Sequence, residues 1–340
     1  MKNKIKINGR KILIIGGAGF IGHNLALRLK KLGAKILIVD GLSVNNIESV
    51  KSRENELPYP KLSMRILKER LYLLKKNKIS LKKIDARNYE KLCRVFNYFK
   101  PQVVVHLAAV SHANRSNKNP HSTFDNSLRT LENALDNSKN KVEHFIFLSS
   151  SMVYGNFKKR KVTENENCEP LGIYGALKLS AEMIIKSYNQ VFNLPYTIVR
   201  PSALYGERCI SRRVGQIFIE NCLNKKKILI QGDGKEKLDF TYIQDLLKGI
   251  INIITNKKSL NKTFNITYGN SQPINSLIKI LKKDFPHLEV AYKKKDKFMP
   301  KRGTLSNESA KKYLQYRSDW PLNKGYKKYI NWYKELFYKK

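Results

Sequence analysis

Tyr174-Gly175-Ala176-Leu177-Lys178 sets a phenol and an ammonium four residues apart. On a helix that spacing stacks both side chains on one face. The chemistry open to such a pair is proton transfer. A tyrosine with an ordinary pKa of about 10 is a poor base near neutrality. A lysine charge about 4 Å away, at an effective dielectric of about 20, favours the phenolate by about 4 kcal/mol. That is enough to bring the pKa down to roughly 7. Desolvation works the other way, and a further positive charge from a bound cofactor helps, so titration near the operating pH is the expected balance. Upstream, Phe145-Ile146-Phe147-Leu148 runs into Ser149-Ser150-Ser151, which puts hydroxyls at the C-terminal edge of a buried strand. A serine there can hydrogen-bond an oxygen passing between alcohol and ketone. Tyr-x-x-x-Lys recurs by chance and serines also make plain turns, so the surrounding elements must decide.

Those elements begin at Lys11-Ile12-Leu13-Ile14-Ile15-Gly16-Gly17-Ala18-Gly19-Phe20-Ile21-Gly22, a buried strand, a glycine loop and a helix starting near Phe20. Gly16, Gly19 and Gly22 permit a tight turn, close approach to a pyrophosphate and packing of helix on sheet. The free N-H groups at Phe20 and Ile21 suit anionic phosphates. A second strand, Lys35-Ile36-Leu37-Ile38-Val39-Asp40, ends in a carboxylate where an adenosine ribose should lie. Asp40 can accept hydrogen bonds from both ribose hydroxyls and repels a 2′-phosphate, and Gly41-Leu42-Ser43 supplies no arginine to receive one. The expected cofactor is NAD. His106-Leu107-Ala108-Ala109 ends another strand in small residues, as close approach to that cofactor requires. His106 itself reads as a satisfied core histidine.

Strand patterns near 11–15, 35–40, 103–107, 144–149 and 196–199 alternate with helical ones. This predicts an α/β fold, a Rossmann-type doubly wound parallel sheet. Between Ser43 and Ser80, the basic, leucine-rich stretch Leu62 to Lys78 reads as an inserted amphipathic helix. Beyond Pro201 the expected elements are a helix near 212–224, a short strand at 227–230 and the turn Gly232-Asp233-Gly234. Thr263 to Thr267 is expected to rejoin the large sheet. The expected division is a cofactor-binding domain over 1–199 plus about 238–268, and a smaller C-terminal lobe from about 200–237 and 269–340. Substrate should enter the cleft between them, where the strand C-termini point.

Composition limits the partners. The 340 residues carry 66 Lys and Arg against 27 Asp and Glu, a formal charge of +39. Such a balance raises a nucleic-acid or membrane-surface partner. The excess, however, is mostly lysine spread from end to end among asparagine and isoleucine. Clusters such as Lys225-Lys226-Lys227 and Lys293-Lys294-Lys295 lack the interleaved aromatics of a base-stacking groove. No specific nucleic-acid partner is expected. No apolar run nears the roughly 20 residues of a membrane span, and no secretory leader is read, so no membrane insertion and a cytoplasmic location are expected. Cys93, Cys168, Cys209 and Cys222 have no metal-ligand spacing, and His112 and His121 are isolated, so no metal is expected.

With these residues in hand, the chain resembles the extended short-chain dehydrogenases/reductases, in their NAD-dependent nucleotide-sugar epimerase/dehydratase family. The likeness runs over nearly the whole length. Its pieces are Gly16 to Gly22, Asp40, Asp85-Ala86-Arg87, His106 to Ala109, Ser149 to Gly155, Tyr174 with Lys178, Arg200-Pro201 with Tyr205-Gly206, Gly232-Asp233-Gly234, Asp239-Phe240-Thr241-Tyr242 and Arg302-Gly303. The resemblance implies tightly held NAD, Tyr174 as catalytic base, Lys178 on the nicotinamide ribose and Ser150 on the sugar hydroxyl. It further implies Asp85 and Ala86 near the adenine and Arg302 near the diphosphate of a nucleotide-sugar substrate. A homodimer and polysaccharide precursors are suggested in the same way. Two positions depart from the pattern: Ala203 stands for an asparagine and Leu238 for an arginine, both of which normally hold the nucleotide. Arg212, Arg213 and Lys237 are the candidates for rebuilding that grip.

Family members oxidise a sugar to a ketone and then diverge. Dehydratases carry Asp-Glu beside the catalytic serine and decarboxylases a glutamate, whereas this chain has Ser151 and Met152. The resemblance therefore implies epimerisation, most directly at C4 of a UDP-sugar. A uronate 4-epimerase stays open through the stretch from Leu67 to Leu71, similar to one in UDP-glucuronate 4-epimerases, and through Arg115, which could meet a carboxylate. A keto-sugar reductase or dehydratase, and a non-enzymatic sensor or nucleic-acid binder on the same fold, are the remaining readings.

Overall fold

The computed structural model describes residues 5–44, 46–52, 55, 57–110, 113–294 and 299–338, without the side chains of 113–115. His112, Lys295 and the side chain of Arg115, all singled out above, lie outside the described residues.

Seven strands form one parallel sheet: β1 (Lys11–Ile15), β2 (Lys35–Asp40), β3 (Ser80–Lys83), β4 (Val103–His106), β5 (His144–Leu148), β6 (Tyr196–Arg200) and β7 (Lys262–Asn265). Their order is β7-β6-β5-β4-β1-β2-β3, and every pairing is parallel. The expected fold class is the observed one. The order reverses between β1 and β4, so the crevice that receives a ligand in such sheets opens where the glycine loop leaves β1. Residues 262–265 rejoin the sheet beside β6, as their apolar pattern implied. β3 had no such pattern: three of its four residues are exposed, since it is the edge strand.

Alternation along the strands divides the core. Ile12 and Ile14 of β1 pack with Leu25 and Leu29 of α1 (Phe20–Lys31) and Ile66 and Leu67 of α2 (Pro60–Lys76). Leu13 and Ile15 face the other layer, with Ala181 and Ile185 of α3 (Gly172–Phe192). α2 is the expected insertion. Asn77 caps it, and Lys78 turns the chain with φ of 52°.

Past β6, besides β7, the chain adds helices and short strand pairs. The helix expected over 212–224 is α4 (Val214–Leu223). It starts late because Arg212 is left-handed, φ 49°, and Arg213 is its extended N-cap. Residues Ile228–Gln231 pair with Val290–Lys293, and α5 (Leu322–Tyr338) packs its buried Tyr326 against Gly215 of α4. Among the described residues no helix is long and apolar enough to cross a membrane.

Candidate active site

β5 ends at Leu148, and Ser149-Ser150-Ser151 follow at the sheet's C-terminal edge. Ser150 is extended, and its hydroxyl accepts the Met152 N-H at 3.2 Å, capping a short helical turn. Gly175 lets α3 lie against that turn: a Cβ there would stand 2.8 Å from the Met152 carbonyl oxygen. This close approach brings the Tyr174 phenol to the Ser150 hydroxyl, which favours its phenolate. Both line a cavity of about 560 Å³ with Ser149, Ser151, Lys178, Ile21, Leu107 and Ala109. A volume of that size suits a small organic ligand.

The charge arrangement differs from the one expected. Lys178 Nζ donates to the Leu148 carbonyl at 2.7 Å and lies 4.6 Å over the Phe147 ring. Burial pushes this ammonium down to about 8, against the opposing pull of Glu182. The cation that acts on the Tyr174 phenol is instead Arg213. Burial dominates there, and the phenol sits above its ordinary range despite Arg213 and the Ser150 hydroxyl. The helical spacing was right, but the long lysine side chain bends back to the strand edge.

The glycine loop is built for close approach. Gly16 has φ of 80°, and a Cβ on it would stand 2.7 Å from the Ala108 nitrogen. Gly22 is as constrained, its Cβ position lying 2.5 Å from Gly17 Cα. Gly19 is the N-cap of α1, which has neither a capping side chain nor an acidic residue in its first turn. The Phe20 and Ile21 N-H groups thus open an electropositive helix end. Asp40 accepts the Ala18 N-H at 2.9 Å and the Leu42 N-H at 2.8 Å, tying the loop to β2. Two oxygens offer about four acceptor sites, so capacity remains for ribose hydroxyls. Asp85 is less free: Arg87 takes both its oxygens, at 2.6 to 3.1 Å, and holds the carboxyl below its ordinary range. Ala86 is buried beside it and gives its carbonyl to Asn133.

The substrate candidates separate. Arg213 and Arg302 both line the cavity. Burial, then Arg213, pushes Arg302 down to about 10, with Glu236 opposing. Arg213 Nε is buried without a hydrogen-bond partner. Arg212 lines the cavity too, but its guanidinium is paired at 2.8 Å with buried Glu220. Lys237 is exposed and does not line it. Ala203 and Leu238 leave apolar wall where the resemblance implied nucleotide contacts. Glu182, buried behind Ser149, was not anticipated, although it stands one turn past Lys178 on the same helix face.

Residues 12–267 match the model of the NAD dependent epimerase/dehydratase family. The chain belongs to that family. A dTDP-D-glucose 4,6-dehydratase of Dictyostelium discoideum is 31% identical over 78% of this chain and 60% of its own length. The structure of a Thermotoga maritima UDP-glucose 4-epimerase with UDP-glucose is 28% identical, with a TM-score of 0.81 over 95% of this chain and 98% of that one. A Bacillus cereus UDP-glucuronic acid 4-epimerase, solved with UDP-glucuronic acid and NAD, is 27% identical, with a TM-score of 0.82 over 96% and 99%. The family's cofactor is NAD, and the residues fit it: a loop that would clash if Gly16 carried a Cβ, an uncapped helix end and Asp40 at the β2 terminus.

Proposed function

We propose that this protein is an NAD-dependent nucleotide-sugar epimerase that inverts C4 of a UDP-sugar through a 4-keto intermediate. The carrying observation is the surroundings of the Ser150–Tyr174 pair. Ser151 and Met152 follow Ser150, and Glu236 is the one carboxylate among the described lining residues, acting on Arg302. Among the described lining residues no carboxylate stands by the serine to expel water from a sugar, and Glu182, behind Ser149, is buried and paired with Arg200. NAD, when bound, would supply reversible hydride acceptance at C4. Tyr174 accepts the O4 proton and later gives it back, and Ser150 hydrogen-bonds O4 as it becomes a carbonyl. Lys178 would hold the nicotinamide ribose of NAD, Gly16, Gly19, Phe20, Ile21 and Gly22 its pyrophosphate and Asp40 the other ribose, and Asp85 and Ala86 would border the adenine. Arg302 and Arg213 grip the substrate diphosphate, taking over from the residues replaced by Ala203 and Leu238.

A uronate is the second reading, favoured by Arg213: a cation acting on Tyr174, with a buried nitrogen unpartnered, suits a carboxylate on the reacting sugar. The two-lobe division given above, a cytoplasmic setting, a role in polysaccharide precursors and a homodimer belong to the same proposal. Free thiols at all four cysteines support the setting. Exposed Met183 and Val191 on α3, at 62% and 68%, support the dimer.

Turnover in deuterated water tests the chemistry. Hydride return leaves the C4 epimer with no solvent deuterium on carbon. A product that has lost water and gained carbon-bound deuterium would make the protein a dehydratase.

A further inference from the structure

Glu182 is 1% exposed and lies one turn beyond Lys178 on α3. Its Oε1 accepts the Ser149 hydroxyl at 2.5 Å and Arg200 Nε at 2.9 Å, and its Oε2 accepts Arg200 Nη2 at 2.5 Å. Arg200 ends β6, and its guanidinium lies 4.8 Å over the Tyr154 ring. Ser149 is therefore fastened from behind, between two neighbours that face the cavity. On one side the Leu148 carbonyl receives Lys178 Nζ at 2.7 Å; on the other Ser150 meets Tyr174.

We propose that Glu182 is a positioning residue of the active site: through Ser149 it fixes the Leu148 carbonyl on Lys178 and Ser150 toward Tyr174. Standing one turn past Lys178 on α3, it is also the anion that favours the ammonium. The catalytic part rests on the epimerase reading above. The groups around Lys178 leave the charge role to Glu182. From β4 comes His106, held neutral by burial with its pKa down at about 3, partly through Lys178 itself. From β5 comes the Phe147 ring, and from β6 Arg200, already paired with Glu182. On α3 itself stand Tyr174 and Glu182. A buried ammonium without a nearby anion loses its proton more readily, which burial has already brought within reach.

A buried ion pair with one partner removed destabilises the fold for reasons unrelated to catalysis. The test therefore uses Glu182→Gln, the double variant Glu182→Gln with Arg200→Gln, and Ser149→Ala in the purified full-length protein. Acetylation of Lys178 by acetic anhydride, read by peptide mass spectrometry across pH, reports its protonation without any turnover. Glu182→Gln should move the midpoint down by about one pH unit or more, and the double variant, which also removes the Arg200 cation, should move it down by less. The alkaline limb of kcat should move the same way. Ser149→Ala should keep the midpoint yet lower kcat by about tenfold with little change in KM. Variants that lose only thermal stability, with midpoint and limb unmoved, would overturn the proposal. A wild-type protein that converts no nucleotide sugar would instead refute the epimerase reading, while the acetylation midpoint still decides the charge role.

Discussion

Tyr174 carries the most consequential difference between expectation and structure. Its phenol sits above its ordinary range, because burial outweighs Arg213 and the Ser150 hydroxyl. Lys178 is engaged with Leu148 and Phe147. As the proton-transfer group, Tyr174 should be indispensable: Tyr174→Phe is expected to abolish turnover while leaving NAD bound. Equal activity in that variant would remove it from the mechanism. Arg213 gives a signed test. Removing the cation that favours the phenolate raises the phenol's pKa further. In Arg213→Met the acid limb of the kcat/KM profile should therefore move to higher pH, and an unmoved limb would show that Arg213 does not act on the phenol.

At the scale of elements, loops do most to place the chemistry. Gly16→Ala drives a Cβ onto the Leu107–Ala108 backbone from a left-handed conformation, so retained NAD should fall sharply and the thermal midpoint should drop. Full NAD retention would show that the loop has another way to approach the cofactor. The buried strands were legible because apolar runs bounded by glycine and serine have few other uses. β3 was not, since an exposed edge strand bears no such run. Left-handed Ala203, Arg208 and Arg212 were illegible for a different reason: nothing in a non-glycine residue announces a positive φ. Contacts distant in sequence were hidden as well. Arg70 of α2 donates through Nε and Nη2 to the carbonyl of Arg208, 138 residues away. Arg208 in turn reaches His23 and Asn24 of α1 at 3.0 and 3.1 Å. The insertion thus clamps the loop leading to Arg212 and Arg213 against the helix that opens the cofactor site. The sequence indicated a helix there, and only the fold shows what it grips.

Over the whole molecule, buried titratable groups set how stability answers to pH. His106 and His144 are pushed down to about 3 by burial, and His23 is also well below its ordinary range. Below pH 6.5 the unfolded chain takes up protons that these three refuse, so each costs stability as the pH falls, His106 and His144 about 1.4 kcal/mol per pH unit. Asp239 and Asp245 act with opposite sign. Burial raises both to about 6, so the folded form binds their protons first and gains stability as pH falls through that value. Three histidines outweigh these two aspartates between pH 7 and 5, and urea unfolding should show a net loss of stability. Unchanged or higher stability at pH 5 would mean that the histidines are protonated in the fold.

Retention of the cofactor while a sugar is turned over is what separates an epimerase from a reductase. It is tested by denaturing the purified protein, assaying the NAD(H) released, and incubating intact protein with UDP-, GDP- and dTDP-sugars without added cofactor. Near-stoichiometric NAD(H) together with a C4 epimer of a UDP-sugar is the predicted result. No retained cofactor, with turnover only on added NADH or NADPH, would contradict it and make the protein a reductase.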